Sequence, residues 1–190
     1  VPTTETQAHG AQAVTRLKAH LLKGYRARIA GESTQAARAA RWLDLPADLA
    51  PSLALALTTG GRSRLYSHQR EAWDLARAKR HFVVATPTAS GKTLCYNLPV
   101  LDAVLSHGRK ALYLFPTKAL AQDQAAELMA LSRAIQSAGG PGVKAFTFDG
   151  DTPGDARKAV RTRGDIVLSN PDMLHQAILP HHTKWAQFFE

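Results

Sequence analysis

The chain has 190 residues, 45% of them hydrophobic, enough for one domain with a real core plus an extension. Its single cysteine, Cys95, excludes an internal disulfide and a multi-cysteine zinc site within these residues. The net charge of +9 lies forward: residues 1–80 carry 13 Lys/Arg against 6 Asp/Glu, and residues 81–190 carry 11 against 9. Such a basic front suits a polyanionic partner or a solvated helix face equally well.

Residues 1–10 are polar and lack the apolar centre of a signal peptide, which predicts a disordered start and a cytoplasmic protein. No run approaches the roughly 18 apolar residues of a membrane span. From residue 11 to 41 the chain is rich in Ala, Leu and Arg and favours helix, with interruptions at Gly24 and Gly31. There Arg16, Lys18, Lys23, Arg26, Arg28, Arg38 and Arg41 face only Glu32. Residues 1–41 therefore read as a basic, partly helical or disordered extension, and residues 42–190 as the domain proper. After Leu45-Pro46, the spacing of Leu49, Leu53 and Leu57 predicts a helix with one buried face, ended by Gly60-Gly61. Ser67 is placed to cap the next helix, which turns Ala72, Leu75 and Ala76 inward.

From residue 81 the pattern alternates. Residues 81–85 (HFVVA), 111–115 (ALYLF), 143–148 and 165–169 (DIVLS) read as four buried strands. Helices are predicted over 94–105, with Pro99 inside or near the start, and over 118–137, 155–162 and from 171 to 179, where Pro171 takes a favoured first-turn place. Strands that are apolar throughout and alternate with helices define an α/β fold, a doubly wound parallel sheet covered on both faces. Such sheets bind ligands at the carboxyl ends of their strands.

The strongest motif is TPTASGKT, residues 86–93, after a predicted strand and before a helix, the setting of a P-loop. Small residues let backbone N–H groups curl toward phosphate oxygens, and the helix N-terminus adds its dipole. Lys92 supplies a point charge to the β- and γ-phosphates, and the Thr93 hydroxyl is the predicted Mg²⁺ ligand. Gly91 allows close backbone approach. Thr86 stands where the general pattern has glycine.

These residues resemble the P-loop of the superfamily two helicases. Pro116-Thr117-Lys118-Ala119-Leu120 is similar to that family's motif after the next strand, usually Pro-Thr-Arg-Glu-Leu. Ser169-Asn170-Pro171-Asp172 is similar to its later Thr-Pro or Asn-Pro motif. Asp149-Gly150-Asp151-Thr152 stands where a Gly-Gly turn is common, and Tyr66-Ser67-His68-Gln69 resembles the upstream adenine motif. The wording of residues 65–69, 86–98 and 170–174 looks like one branch, the MrfA-type helicases and their RecQ-four-like relatives, which carry a cysteine-rich C-terminal domain. The resemblance spans roughly residues 42–190.

That resemblance implies a RecA-like lobe of a 3′-to-5′ DNA helicase acting in DNA repair, using ATP and Mg²⁺ on single-stranded or tailed DNA. It implies that Gln69 reads the adenine edge, with Tyr66 beside it and Thr88, Ala89, Ser90, Gly91, Lys92, Thr93 and Leu94 around the phosphates. Thr117, Lys118, Gly150, Thr152, Asn170 and Pro171 would line the bound strand, mostly through phosphate contacts that carry no sequence information. It further implies an Asp-Glu pair on a later strand and a second motor lobe with an arginine finger. Neither is in these residues, so the chain reads as an incomplete first lobe that turns over no ATP alone.

Alternatives stay open on the residues themselves. A DEAD-box RNA helicase, a basic nucleic-acid-binding module with an inactive P-loop and a small-molecule P-loop kinase each account for part of the pattern. Pro116 and Pro171 also suit ordinary turns, Tyr66 a core position and Gln69 a helix surface. His175, His181 and His182 lack acidic or cysteine partners at metal-ligand spacing.

Overall fold

The computed structural model describes residues 4–25, 28, 30, 31, 33 and 39–190. The chain divides into two compact units, Val1–Ala40 and Arg41–Glu190. The first contains helix α1 (Thr4–Tyr25). The start predicted as disordered is thus helical from Thr4, because Ala8, Ala11 and Ala13 favour helix and polar composition does not oppose it. Val14, Leu17, Leu21 and Tyr25 recur at helical spacing along it and are exposed. Arg26, Glu32 and Arg38, singled out in the sequence, lie outside the described residues.

The second unit opens with a short antiparallel pair, β1 (Trp42–Asp44) against β2 (Arg64–Tyr66). Between them runs α2 (Pro51–Thr59), started by a first-turn proline and closed at Gly60. Leu49, Leu53 and Leu57 are buried as their spacing predicts. Helix α3 (Ser67–Arg77) is capped from Tyr66 rather than by Ser67: the Tyr66 N–H donates to Gln69 Oε1 at 2.9 Å. Ala72 is buried as expected, and the larger Trp73 beside it is buried with it.

Three strands form the parallel sheet: β3 (Ala111–Leu114), β4 (Ala145–Thr147) and β5 (Ile166–Ser169), in the order β3-β5-β4. Tyr113 and Thr147 both lie opposite Leu168, which sets the register. The period-two geometry of β5 divides the core. Ile166 and Leu168 face one cluster with Leu53, Leu98, Leu101 and Leu128 from α2, α4 (Thr93–His107) and α5 (Lys118–Ser137). Val167 faces another with Phe148, Val160 from α6 (Gly154–Arg163), Trp185 and Phe188. Both faces are covered, so the doubly wound expectation holds.

The predicted first strand is the exception. Residues 81–85 have no strand partner among the described residues, and Val83 is 93% exposed. A strand exists only where a neighbour takes its N–H and C=O groups, and apolar composition alone does not supply one. After β5 a short α7 (Pro171–Met173) runs into a wider π turn (Leu174–Ile178) and a 3₁₀ run (Leu179–Trp185), in place of the single helix predicted. Pro180 lacks the N–H that a continued α-helix would use. The final α8 (Ala186–Phe189) follows.

Buried polar groups serve this scaffold. The Asp102 carboxylate, 3% exposed, accepts the Ala50 N–H at 2.8 Å and so caps the start of α2 from α4. Arg77 of α3 approaches its other oxygen at 3.9 Å and Asp48 at 3.1 Å. Tyr113 donates to Asn97 Oδ1 at 2.9 Å, and burial pushes its phenol pKa well above the ordinary range.

Candidate nucleotide and nucleic-acid site

Two groups of predicted residues assemble at two places. The first is the P-loop corner, where α3 packs on α4. Gln69 is 5% exposed, and its amide is used at both ends: Oε1 accepts from Tyr66, and Nε2 donates to the Gly91 carbonyl at 2.9 Å. A Cβ on Gly91 would meet that nitrogen at 2.8 Å and push the amide aside, and Gly91 has φ +76°, a conformation that favours glycine. His68 Nε2 lies 3.0 Å from the Ser90 carbonyl. The P-loop is therefore gripped from α3 through backbone atoms.

Inside the loop the Thr86 and Ser90 hydroxyls lie 2.6 Å apart. Thr86, where the general pattern has glycine, closes the loop with a hydrogen bond that glycine could not make. Ala89 holds φ +60°, a turn that favours small residues. The Lys92 ammonium donates to the Thr86 and Pro87 carbonyls at 2.8 and 2.7 Å, so it rests across the loop mouth. Thr93 begins α4, whose first turn holds no acidic residue. Among the described hydrogen bonds, none is donated by the backbone N–H of Ala89, Gly91 or Lys92. An ammonium, free N–H groups and a helix N-terminus make a seat for an anion. Thr88 is exposed, and Leu94 is half-buried against the core. Cys95 is buried beneath the loop, and desolvation raises its pKa, which makes it a packing residue rather than a reactive thiolate.

Tyr66 adds a feature that motif reading missed. Its ring stacks on Trp42 (centroids 4.2 Å apart) and on His68 (5.6 Å). This ladder runs from the β1–β2 pair to the P-loop. The sequence signal was an aromatic in each short strand, and the strands are too brief to read as such.

The second place is the carboxyl edge of the sheet, where parallel strands bring three loops together. Thr117 caps α5, its hydroxyl accepting from the Leu120 N–H at 3.3 Å. Asn170 caps α7, Oδ1 accepting from the Met173 N–H at 2.8 Å, with Pro171 in the first turn. The β4 loop is closed by its own polar groups: Asp149 Oδ1 accepts the Asp151 N–H, and Thr152 Oγ1 accepts the Asp149 N–H. Arg157 of α6, which the sequence reading passed over, donates to the Thr152, Asp149 and Gly150 carbonyls and lies over the Phe148 ring. Gly150 is exposed at the tip.

Lys118 crosses between loops. Its ammonium pairs with the Asp151 carboxylate and lies 3.6 Å from Asp149 Oδ2. The Asp151 bond foremost raises the Lys118 pKa, and Lys118 lowers that of Asp151. The corner and the edge are joined through the scaffold: Tyr96 of α4 donates to Gln124 Oε1 of α5 at 2.8 Å.

A parallel sheet wound on both faces, with a P-loop at one helix start and three polar loops along its carboxyl edge, is the layout of a nucleotide-driven motor lobe. Residues 66–189 match the DEAD/DEAH box helicase family, and the chain belongs to it. It is 49% identical over 154 residues to the uncharacterized ATP-dependent helicase YprA of Bacillus subtilis, covering 80% of this chain and 20% of that protein. It is 37% identical over 134 residues to the ATP-dependent helicase hrq1 of Schizosaccharomyces pombe, covering 70% and 12%. Among solved structures, the DUF1998 helicase MrfA bound to DNA and AMPPNP superposes with a TM-score of 0.76 at 48% identity, covering 80% of this chain and 21% of that one. The chain thus spans about one fifth of the length of the first of these relatives. Among the described residues no helix is long and apolar enough to cross a membrane.

Proposed function

We propose that this chain is the ATP-binding part of a DNA helicase motor, in which the P-loop corner holds the nucleotide and the carboxyl edge of the sheet follows a single strand. The observation that carries it is the pre-set P-loop, with Lys92 resting on neutral carbonyls above free N–H groups. A triphosphate would draw the ammonium off those carbonyls, because a full negative charge attracts a cation more strongly than a carbonyl dipole does. Gly91 and Lys92 N–H groups would take phosphate oxygens, with Ala89 and Ser90 shaping the curl. Tyr66 would flank the base, and Gln69 would present its amide to it while keeping the loop in register.

The residues fit Mg²⁺ only together with a nucleotide. Among the described residues no group of three or more His, Cys, Asp or Glu could hold a metal by itself. The ion would arrive on the phosphates, take the Thr93 hydroxyl and supply charge neutralisation during phosphoryl transfer. At the edge, Thr117, Lys118, Gly150, Thr152, Asn170 and Pro171 would grip phosphates and sugars. DNA is favoured over RNA because the similar helicase MrfA has been solved bound to DNA. The resemblance to the MrfA-type branch extends the proposal to a role in DNA repair, 3′-to-5′ movement and a second motor lobe.

The test is ATP turnover by the complete gene product without nucleic acid, with single-stranded DNA and with single-stranded RNA, alongside Lys92→Ala. Stimulation by DNA that vanishes in Lys92→Ala is the expected result. Stimulation by RNA alone would transfer the reading to RNA remodelling, and no hydrolysis under any condition would end the motor reading.

A further inference from the structure

Lys118 is the strand-facing cation among the described edge-loop residues proposed to line the track, and it is already neutralised from within. Its ammonium is shared by Asp151 and Asp149, so the cluster carries one positive and two negative charges. The arrangement is built rather than incidental. Asp149 Oδ1 accepts both the Asp151 N–H and the Thr152 hydroxyl, leaving Oδ2 for Lys118. Arg157 braces the same loop through three carbonyls. The loop thereby holds the Asp151 carboxylate out at the edge, with its side chain 81% exposed, against a lysine from the neighbouring helix start. Nothing in the core requires that carboxylate.

We propose that Asp151 is an internal stand-in for phosphate, so that a nucleic-acid strand gains Lys118 only by displacing the Asp151 carboxylate. The inference rests on the reading of the carboxyl edge as the strand track. A carboxylate presents two anionic oxygens to an ammonium much as a phosphate does. Once displaced, it faces the incoming backbone as a like charge. The edge is thereby tuned for weak, exchangeable grip, which suits a contact that must be released at each step of movement. Exposed ion pairs contribute little, so the expected effect on affinity is about 1.5- to 5-fold.

The salt dependence distinguishes this device from a plain contact. Salt screens the Lys118–Asp151 pair as well as the Lys118–phosphate pair, so the exchange leaves affinity only weakly salt-dependent at this position. With Asp151→Asn, Lys118 meets phosphate uncompensated, and the slope of log affinity against log salt should steepen by up to about 0.7, the value per phosphate on a single strand.

The experiment is equilibrium binding of a fluorescent single-stranded DNA to the complete protein across a salt series. The variants are Asp151→Asn, Lys118→Ala and the double variant, each checked for an unchanged unfolding midpoint. Asp151→Asn should bind about 1.5- to 5-fold tighter at low salt with a steeper slope. Lys118→Ala should matter little alone and several-fold more in the Asp151→Asn background. Unchanged affinity and slope in Asp151→Asn, or the same Lys118→Ala loss in both backgrounds, would overturn the proposal while leaving the strand track standing. No salt-dependent binding by the unmodified protein or any variant would overturn both.

Discussion

The P-loop corner and the carboxyl edge of the sheet, the two places proposed to meet phosphates, are made in opposite ways. At the corner the Gln69 amide, the His68 ring and the Thr86–Ser90 hydroxyl pair hold the loop, with one ammonium laid on two neutral carbonyls. At the edge Thr117 and Asn170 cap their helices, and the Lys118 ammonium is matched by two carboxylates. Neutral carbonyls yield an ammonium to an arriving anion, whereas carboxylates compete for it. On the proposed reading the corner would bind tightly and the edge exchangeably, which is what one stroke of a motor asks of each.

The sharpest way to break this comparison is at Lys92. Lys92→Ala should lower ATP turnover by about 10²-fold or more, the usual scale for removing one electrostatic stabiliser of a transition state. Its unfolding midpoint should stay put, since the two bonds it loses go to loop carbonyls, one exposed and one part-buried. Turnover near the unmodified rate would mean the ammonium never leaves those carbonyls.

The corner is poised only if the helices that carry it are fixed, and Asp102 tests that. Asp102→Ala leaves the Ala50 N–H buried without an acceptor, for a loss of about 1–3 kcal/mol in urea unfolding. A change within error would mean that α2 and α4 are held by apolar packing alone. Next in size is Gln69→Ala. It frees the Gly91 carbonyl and the Tyr66 N–H together. Nucleotide affinity, read by titration of a fluorescent ATP analogue, should fall about tenfold, as for one or two net hydrogen bonds. Strand binding at the edge should hold. Equal loss at both places would show that the two are one site.

Most of the scaffold was legible in the residues because its signals are local and redundant. The Leu49, Leu53 and Leu57 spacing, the glycines after α2 and α4 and the apolar run of β5 each report directly on burial or chain direction. What escaped depended on distant partners. Residues 81–85 have strand composition but no neighbour to pair with among the described residues, and composition cannot show that. Gln69 was recognised by motif, yet its grip on Gly91 spans 22 positions and is visible only in three dimensions. The pairing of Asp151 with Lys118 spans 33 positions and likewise shows only in the folded chain.

The smallest effect separates stability from charge at the edge. Asn170 Oδ1 accepts the Met173 N–H at 2.8 Å, a well-formed cap. Asn170→Ala should therefore lower stability by about 1 kcal/mol. Thr117→Ala should lower it by about half that, since its cap bond is 3.3 Å long. Asn170→Asp keeps an accepting oxygen and places a negative charge at a helix start, where the dipole favours it. Stability should then match or slightly exceed that of the unmodified chain. The same charge would stand on the proposed strand track, so single-stranded DNA affinity should drop several-fold, most at low salt, where screening is weakest. An Asn170→Asp protein that is as stable and binds DNA as well as the original would show that the strand does not pass over Asn170, and that the charged character of the edge belongs to Lys118 and its two carboxylates alone.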